Sequence, residues 1–104
     1  MIRATFYKEG ELFKGFEIKG HSGYADEGED IICASVSSAA YMAANTVTDI
    51  IKADADITVD DGYMKFTVDS DDDFIQVVLK GLFLHVNTLA DDYSDYIVCR
   101  TKTV

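Results

Sequence analysis

Two turn dipeptides, Glu9-Gly10 and Asp61-Gly62, each lie between short segments in which apolar and polar residues alternate, and this pattern commits both regions to β-hairpins. In residues 2–8, Ile2, Ala4 and Phe6 share one face while Arg3, Thr5 and Tyr7 share the other; residues 12–19 form the return strand. The second hairpin joins 57–60 to 63–69, with Met64, Phe66 and Val68 as its apolar side. After each hairpin the apolar period lengthens. Val36, Ala40, Ala43, Val47 and Ile50 mark one helix face, and Ile75, Val78, Leu79, Leu82, Val86 and Leu89 mark another. A last strand is predicted over 96–102. The order ββαββαβ implies an α+β fold, a mainly antiparallel sheet packed with two amphipathic helices, in one domain spanning residues 1–104.

The helix starts carry acids. Asp30 stands at the N-cap of the first helix, which places Cys33 at the third helical position; Ser70 is expected to cap the second, with Asp71, Asp72 and Asp73 in its first turn. Between the first hairpin and the first helix, residues 22–29 hold two glycines and several acids without periodicity, which reads as a mobile loop able to close over a ligand.

Nineteen acidic against nine basic side chains give a net charge of −10, which argues against direct nucleic-acid binding and favours a basic partner. No apolar run is expected to cross a membrane, and the N-terminus lacks the apolar core of a secretory signal, so the cytoplasm is the expected compartment. Two cysteines in such a chain do not form a disulfide scaffold. The two histidines and two cysteines lack C-x₂-C or H-x₃-H spacing, so no metal or other cofactor is expected.

His21 and Cys33 are the residues with chemistry to offer. A cysteine in the first turn of a helix meets unsatisfied N–H groups and the positive end of the helix dipole, which favour thiolate; a nearby imidazole would complete the pair. The N–H of Cys33 and its neighbours would then serve as oxyanion donors. Asp30 has two readings: helix cap, or third member holding the His21 tautomer. Gly20 either ends a strand or admits close approach, and Ser37, one turn beyond Cys33, either bonds the substrate or packs among alanines. His85 and Cys99 read as structural.

The segments Gly20-His21-Ser22-Gly23 and Asp30-Ile31-Ile32-Cys33-Ala34-Ser35-Val36-Ser37 resemble the signature of the Prp family, the bacterial ribosomal-processing cysteine proteases. The resemblance implies catalytic residues at His21 and Cys33, with Gly20, Asp30 and Ser37 as supporting positions. It also implies a cytoplasmic homodimer that removes the N-terminal extension of a large-subunit ribosomal protein precursor. The small residues Ala39, Ala43 and Ala44 would permit close helix approach in such a dimer. The alternative is a non-catalytic acidic module binding a basic ribosomal partner.

Overall fold

A computed structural model describes residues 1–25 and 30–104. The elements follow in the order β1 (Ile2–Glu9), β2 (Leu12–Lys19), α1 (Ile31–Asn45), β3 (Asp56–Asp60), β4 (Tyr63–Thr67), α2 (Asp73–Asp92) and β5 (Ile97–Thr103). The strands form one sheet in the order β3-β4-β2-β1-β5. Three neighbouring pairs are antiparallel, and β5 lies parallel to β1 at one edge. The α+β reading therefore holds, with a mixed sheet.

Register explains where the core lies. Ala4 stands opposite Ile18, Phe6 opposite Phe16, and Phe16 opposite Phe66, so the alternating apolar residues of three strands share one face. Both helices cover that face: Ala40, Ala43, Ala44 and Val47 meet Ile75, Leu79, Leu82 and Val86 over the phenylalanines. The rings of Phe16 and Phe66 stack at 5.3 Å, and Phe6 meets Phe83 edge-on at 5.1 Å. A smaller cluster of Ile2, Ile32, Val36 and Ile97 anchors the start of α1 to the ends of β1 and β5. That anchor fixes where Cys33 sits.

Four expectations change. Ile50 is 76% exposed, because Thr46–Ile50 is a π turn in which the Ile51 N–H reaches back to the Thr46 carbonyl at 2.9 Å. The wider turn rotates Ile51, rather than Ile50, onto the core. Second, α2 is capped by Asp72, whose Oδ1 accepts from the N–H groups of Phe74 (2.9 Å) and Ile75 (3.2 Å); Ser70 Oγ accepts from the Asp72 N–H instead. Third, Ala43 and Ala44 face the core rather than a surface open to a second copy. Fourth, Ile31–Ile50 does reach the length and mean hydropathy, 1.2, of a membrane span. Its Ile32, Val36, Ala40, Ala43 and Val47 side is buried on the sheet, so the fold uses it as a core helix.

The expected mobile loop divides at the limit of the described residues: 26–29 lie outside them. In its first half Ser22 is buried, and the Tyr24 ring meets Tyr96 edge-on at 5.5 Å, so these residues are anchored.

Gln76 was hidden in the apolar stripe of α2. Its Nε2 donates to the Phe13 carbonyl (2.9 Å) and its Oε1 accepts the Phe13 N–H (2.8 Å), which ties the first hairpin to α2 across a buried contact. Gln76→Leu would leave both Phe13 groups buried without partners, and stability is expected to fall by about 2–3 kcal/mol. Denaturant unfolding should show a lower midpoint with an unchanged slope.

Candidate active site

β2 delivers the chain to Gly20 and His21 at the sheet end, and the N-terminus of α1 brings Cys33 to face them. Gly20, His21, Asp30, Cys33 and Ser37 all line one cleft of about 590 Å³. Its floor includes Ile2, Ile18, Val36 and Met64, and its far wall is the turn between β3 and β4, residues 60–63. An apolar floor with polar groups at the rim suits an extended peptide.

Gly20 does more than end a strand. Its φ is +95°, a Cβ there would overlap the Met1 carbonyl oxygen, and its N–H donates to the Gly62 carbonyl at 2.9 Å. The sequence pointed to Gly62 only as a hairpin residue. In the structure a Cβ on Gly62 would stand 2.8 Å from His21 Nε2, so the imidazole rests against bare backbone, and φ of +65° independently demands glycine. Among the described residues His21 pairs with the Asp61 carboxylate in the same turn, 4.0 Å from Nε2, with the two side chains 52% and 76% exposed. A pair so exposed is worth little in water.

Asp30 is the helix cap. Oδ1 accepts the Cys33 N–H at 2.9 Å and Oδ2 accepts a short hydrogen bond from Ser22 Oγ. Burial opposes its charged form, but the Ser22 hydroxyl and the N–H groups of Cys33, Ile32 and Ser22 outweigh that and hold the carboxyl below its ordinary value. Ser22, which sequence reasoning passed over, also accepts the Tyr24 N–H at 3.0 Å. One serine thus ties the residue beside His21 to the cap of the helix bearing Cys33.

This geometry revises the oxyanion proposal. Of the expected donors, the Cys33 N–H is engaged by Asp30 Oδ1 and the Ala34 N–H by the Asp30 carbonyl at 3.0 Å. Ser37 lines the cleft one turn further along α1. His85 is exposed on α2. Cys99 is half-buried on the helix-covered face of β5, opposite Ala4, and burial pushes its thiol up to about 11. Among the described residues no group of three or more His, Cys, Asp or Glu is placed to hold a metal ion.

A helix-start cysteine and a sheet-end histidine across one peptide-sized cleft are the parts of a thiol hydrolase, and residues 1–98 match the family model described as cysteine protease Prp. The chain belongs to this family and is a cysteine protease. It is 29% identical to the ribosomal processing cysteine protease Prp of Bacillus subtilis (strain 168) over 112 aligned positions, covering 100% of both chains. It is 27% identical to the protein of the same name from Staphylococcus aureus (strain Mu50) over 81 positions, covering 75% of this chain and 76% of that one. Among solved structures, the S. aureus Prp protease with a covalently linked product peptide superposes with a TM-score of 0.91 at 24% identity, covering 98% and 100% of the two chains. SMU.848 from Streptococcus mutans superposes with a TM-score of 0.87 at 26% identity, covering 100% and 96%. The non-catalytic alternative gives way to an enzyme.

Two outcomes follow from the charges. A carboxyl with a depressed folded value contributes stability that is complete above its unfolded value and lost as pH falls through the folded one. Asp30→Ala is therefore expected to cost about 0.5–2 kcal/mol near neutrality, and the cost should shrink as pH falls below 3.8 in denaturant titrations. Cys99, with its raised thiol, should be alkylated by iodoacetamide only slowly at neutral pH, far behind Cys33, as peptide mass mapping would read.

Proposed function

We propose that this protease cleaves a peptide bond by attack of the Cys33 thiolate, with His21 as its proton partner, and that its substrate is the N-terminal extension of a large-subunit ribosomal protein precursor. The observation that carries this reading is the shared cleft, which has Cys33 on the helix side and His21 on the sheet side of one apolar floor. Support for the substrate comes from the relatives, which bear the name ribosomal processing cysteine protease, and from the S. aureus Prp structure described with a substrate peptide.

In this mechanism the Cys33 sulfur forms a bond to the scissile carbonyl carbon, and the electron pair moves to the carbonyl oxygen. As the tetrahedral intermediate collapses, the C–N bond breaks and the imidazolium gives its proton to the leaving amine. Neutral His21 then takes a proton from water, whose oxygen attacks the thioester and releases Cys33 and the carboxylate product. Such proton transfer contributes ~10²–10⁴-fold. Gly62 leaves room for the ring, Gly20 admits the Met1 carbonyl beside it, Asp30 fixes the helix start, and Ser37 stands in the cleft where a substrate backbone could bond it.

The acidic surface suits a basic ribosomal protein, and we assign the enzyme to the cytoplasm, where precursor and reduced thiols coexist. The proposed homodimer has a candidate surface in the apolar groove between α1 and α2, where Met42 is 64% and Val77 69% exposed. Light scattering at micromolar concentration should give about twice the chain mass of 11.5 kDa; the chain mass itself would contradict pairing.

Incubation with the precursor followed by mass measurement is the direct test. Wild type should remove the extension, while Cys33→Ala should fold normally and leave the precursor whole. His21→Ala should move the pH profile of Cys33 alkylation to higher pH. An unchanged profile would mean that His21 is not the partner.

A further inference from the structure

Resting on the reading of Cys33 and His21 as the peptide-cleaving pair, we propose that the free edge of β3 is an additional substrate-binding site. It would take an extended segment next to the cleaved bond, with apolar residues at alternate positions and Lys or Arg between them.

Among the described residues β3 ends the strand order, so one of its edges has no partner strand there. The hairpin to β4 closes through Asp61-Gly62 with Asp60 opposite Tyr63. Two-residue hairpins close on a hydrogen-bonded pair, and the bonding alternates from there. Asp60 and Thr58 therefore bond back to β4, while Val59 and Ile57 turn their N–H and C=O groups outward. The same two residues project their side chains onto the helix-covered face, since they stand opposite the buried Met64 and Phe66. Even so, Ile57 is 43% and Val59 49% exposed, because the helix layer stops short of the outermost strand.

The edge is continuous with the cleft. Val59, Met64 and Ile18 form one row across β3, β4 and β2, and Met64 and Ile18 belong to the cleft floor. Asp60, the next residue of β3, lines the cleft wall. A peptide leaving the Cys33 and His21 region would thus meet an apolar shelf with outward backbone donors and acceptors, the requirements for strand addition. Charge selects the occupant. Asp56 and Asp60 lie on β3, Asp54 and Asp61 flank it, and no cation stands within the strand. Five residues of β3 at ~3.4 Å each offer about 17 Å of edge.

The test uses a core peptide that wild type cleaves and two longer versions, extended by Val-Lys-Val-Lys-Val at one end or the other. On wild type, one extended peptide should have a KM about tenfold below that of the core. In Val59→Lys and Ile57→Lys the ratio of the two KM values should fall toward one. Thr58→Ala, which alters the opposite face without adding charge among Asp56 and Asp60, should keep the wild-type ratio. The proposal is overturned if neither extension lowers KM on wild type, or if the ratio survives both Val59→Lys and Ile57→Lys. It is also overturned if Val59→Lys converts a dimer to a monomer in light scattering, which would give the edge to a second copy. Equal cutting of the core peptide by Cys33→Ala would instead sink the reading of Cys33 as the nucleophile, and this proposal with it.

Discussion

The Asp30 carboxylate joins the two halves of the proposed active site. One oxygen holds the Cys33 N–H and the other takes the Ser22 hydroxyl, so the start of α1 and the residue after His21 share a single anchor. Charge-assisted bonds of this kind are roughly twice as strong as neutral ones, and they act here where the chain leaves regular structure. The tie uses the N–H that would otherwise be aimed at a developing oxyanion. In the described state the Cys33 amide is therefore committed to the cap.

His21 is held differently. Its ring is placed by absence of side chain: Gly62 offers bare backbone beneath it, and Gly20 bonds the Gly62 carbonyl. Asp61 adds a carboxylate at 4.0 Å, but exposure to water keeps that contribution small. The hairpin turn between β3 and β4 is thus part of the cleft proposed for catalysis, although it lies some forty residues from His21 in the chain. Such a turn can be placed accurately because the sheet register, set by Phe16 against Phe66 and Ile18 against Met64, is buried on its helix side. A one-residue slip would expose all of them.

The two cysteines show how one fold separates reactivity from packing. Cys33 faces a cleft, whereas Cys99 sits half-buried against the sheet core with its thiol pushed upward. Acidity is likewise divided by location. The cap acids Asp30 and Asp72 are engaged by helix N–H groups, while those around β3 face solvent beside exposed apolar side chains.

Much of this was legible from the amino-acid order, because local rules governed it. Alternation set the strands of both hairpins, helical spacing identified Val36, Ala40, Ala43 and Val47 as core, and Asp30 was marked as a cap by its place before an apolar run. What sequence could not supply depends on residues meeting across distance. Gln76 reads as a polar interruption until Phe13 is brought to it, Gly62 as a turn residue until His21 lies over it, and Ser22 as loop until Asp30 meets it. Ile50 and Ile51 exchanged places because a π turn, a tertiary adjustment, overrode the simple period. The sequence by itself determined the elements and the reactive residue types, since propensity and periodicity act within a few residues. Only the tertiary structure decided which backbone groups were free and which carboxylate met which partner, because hydrogen bonds and close contacts depend on ångström-scale geometry that sheet register and helix placement impose.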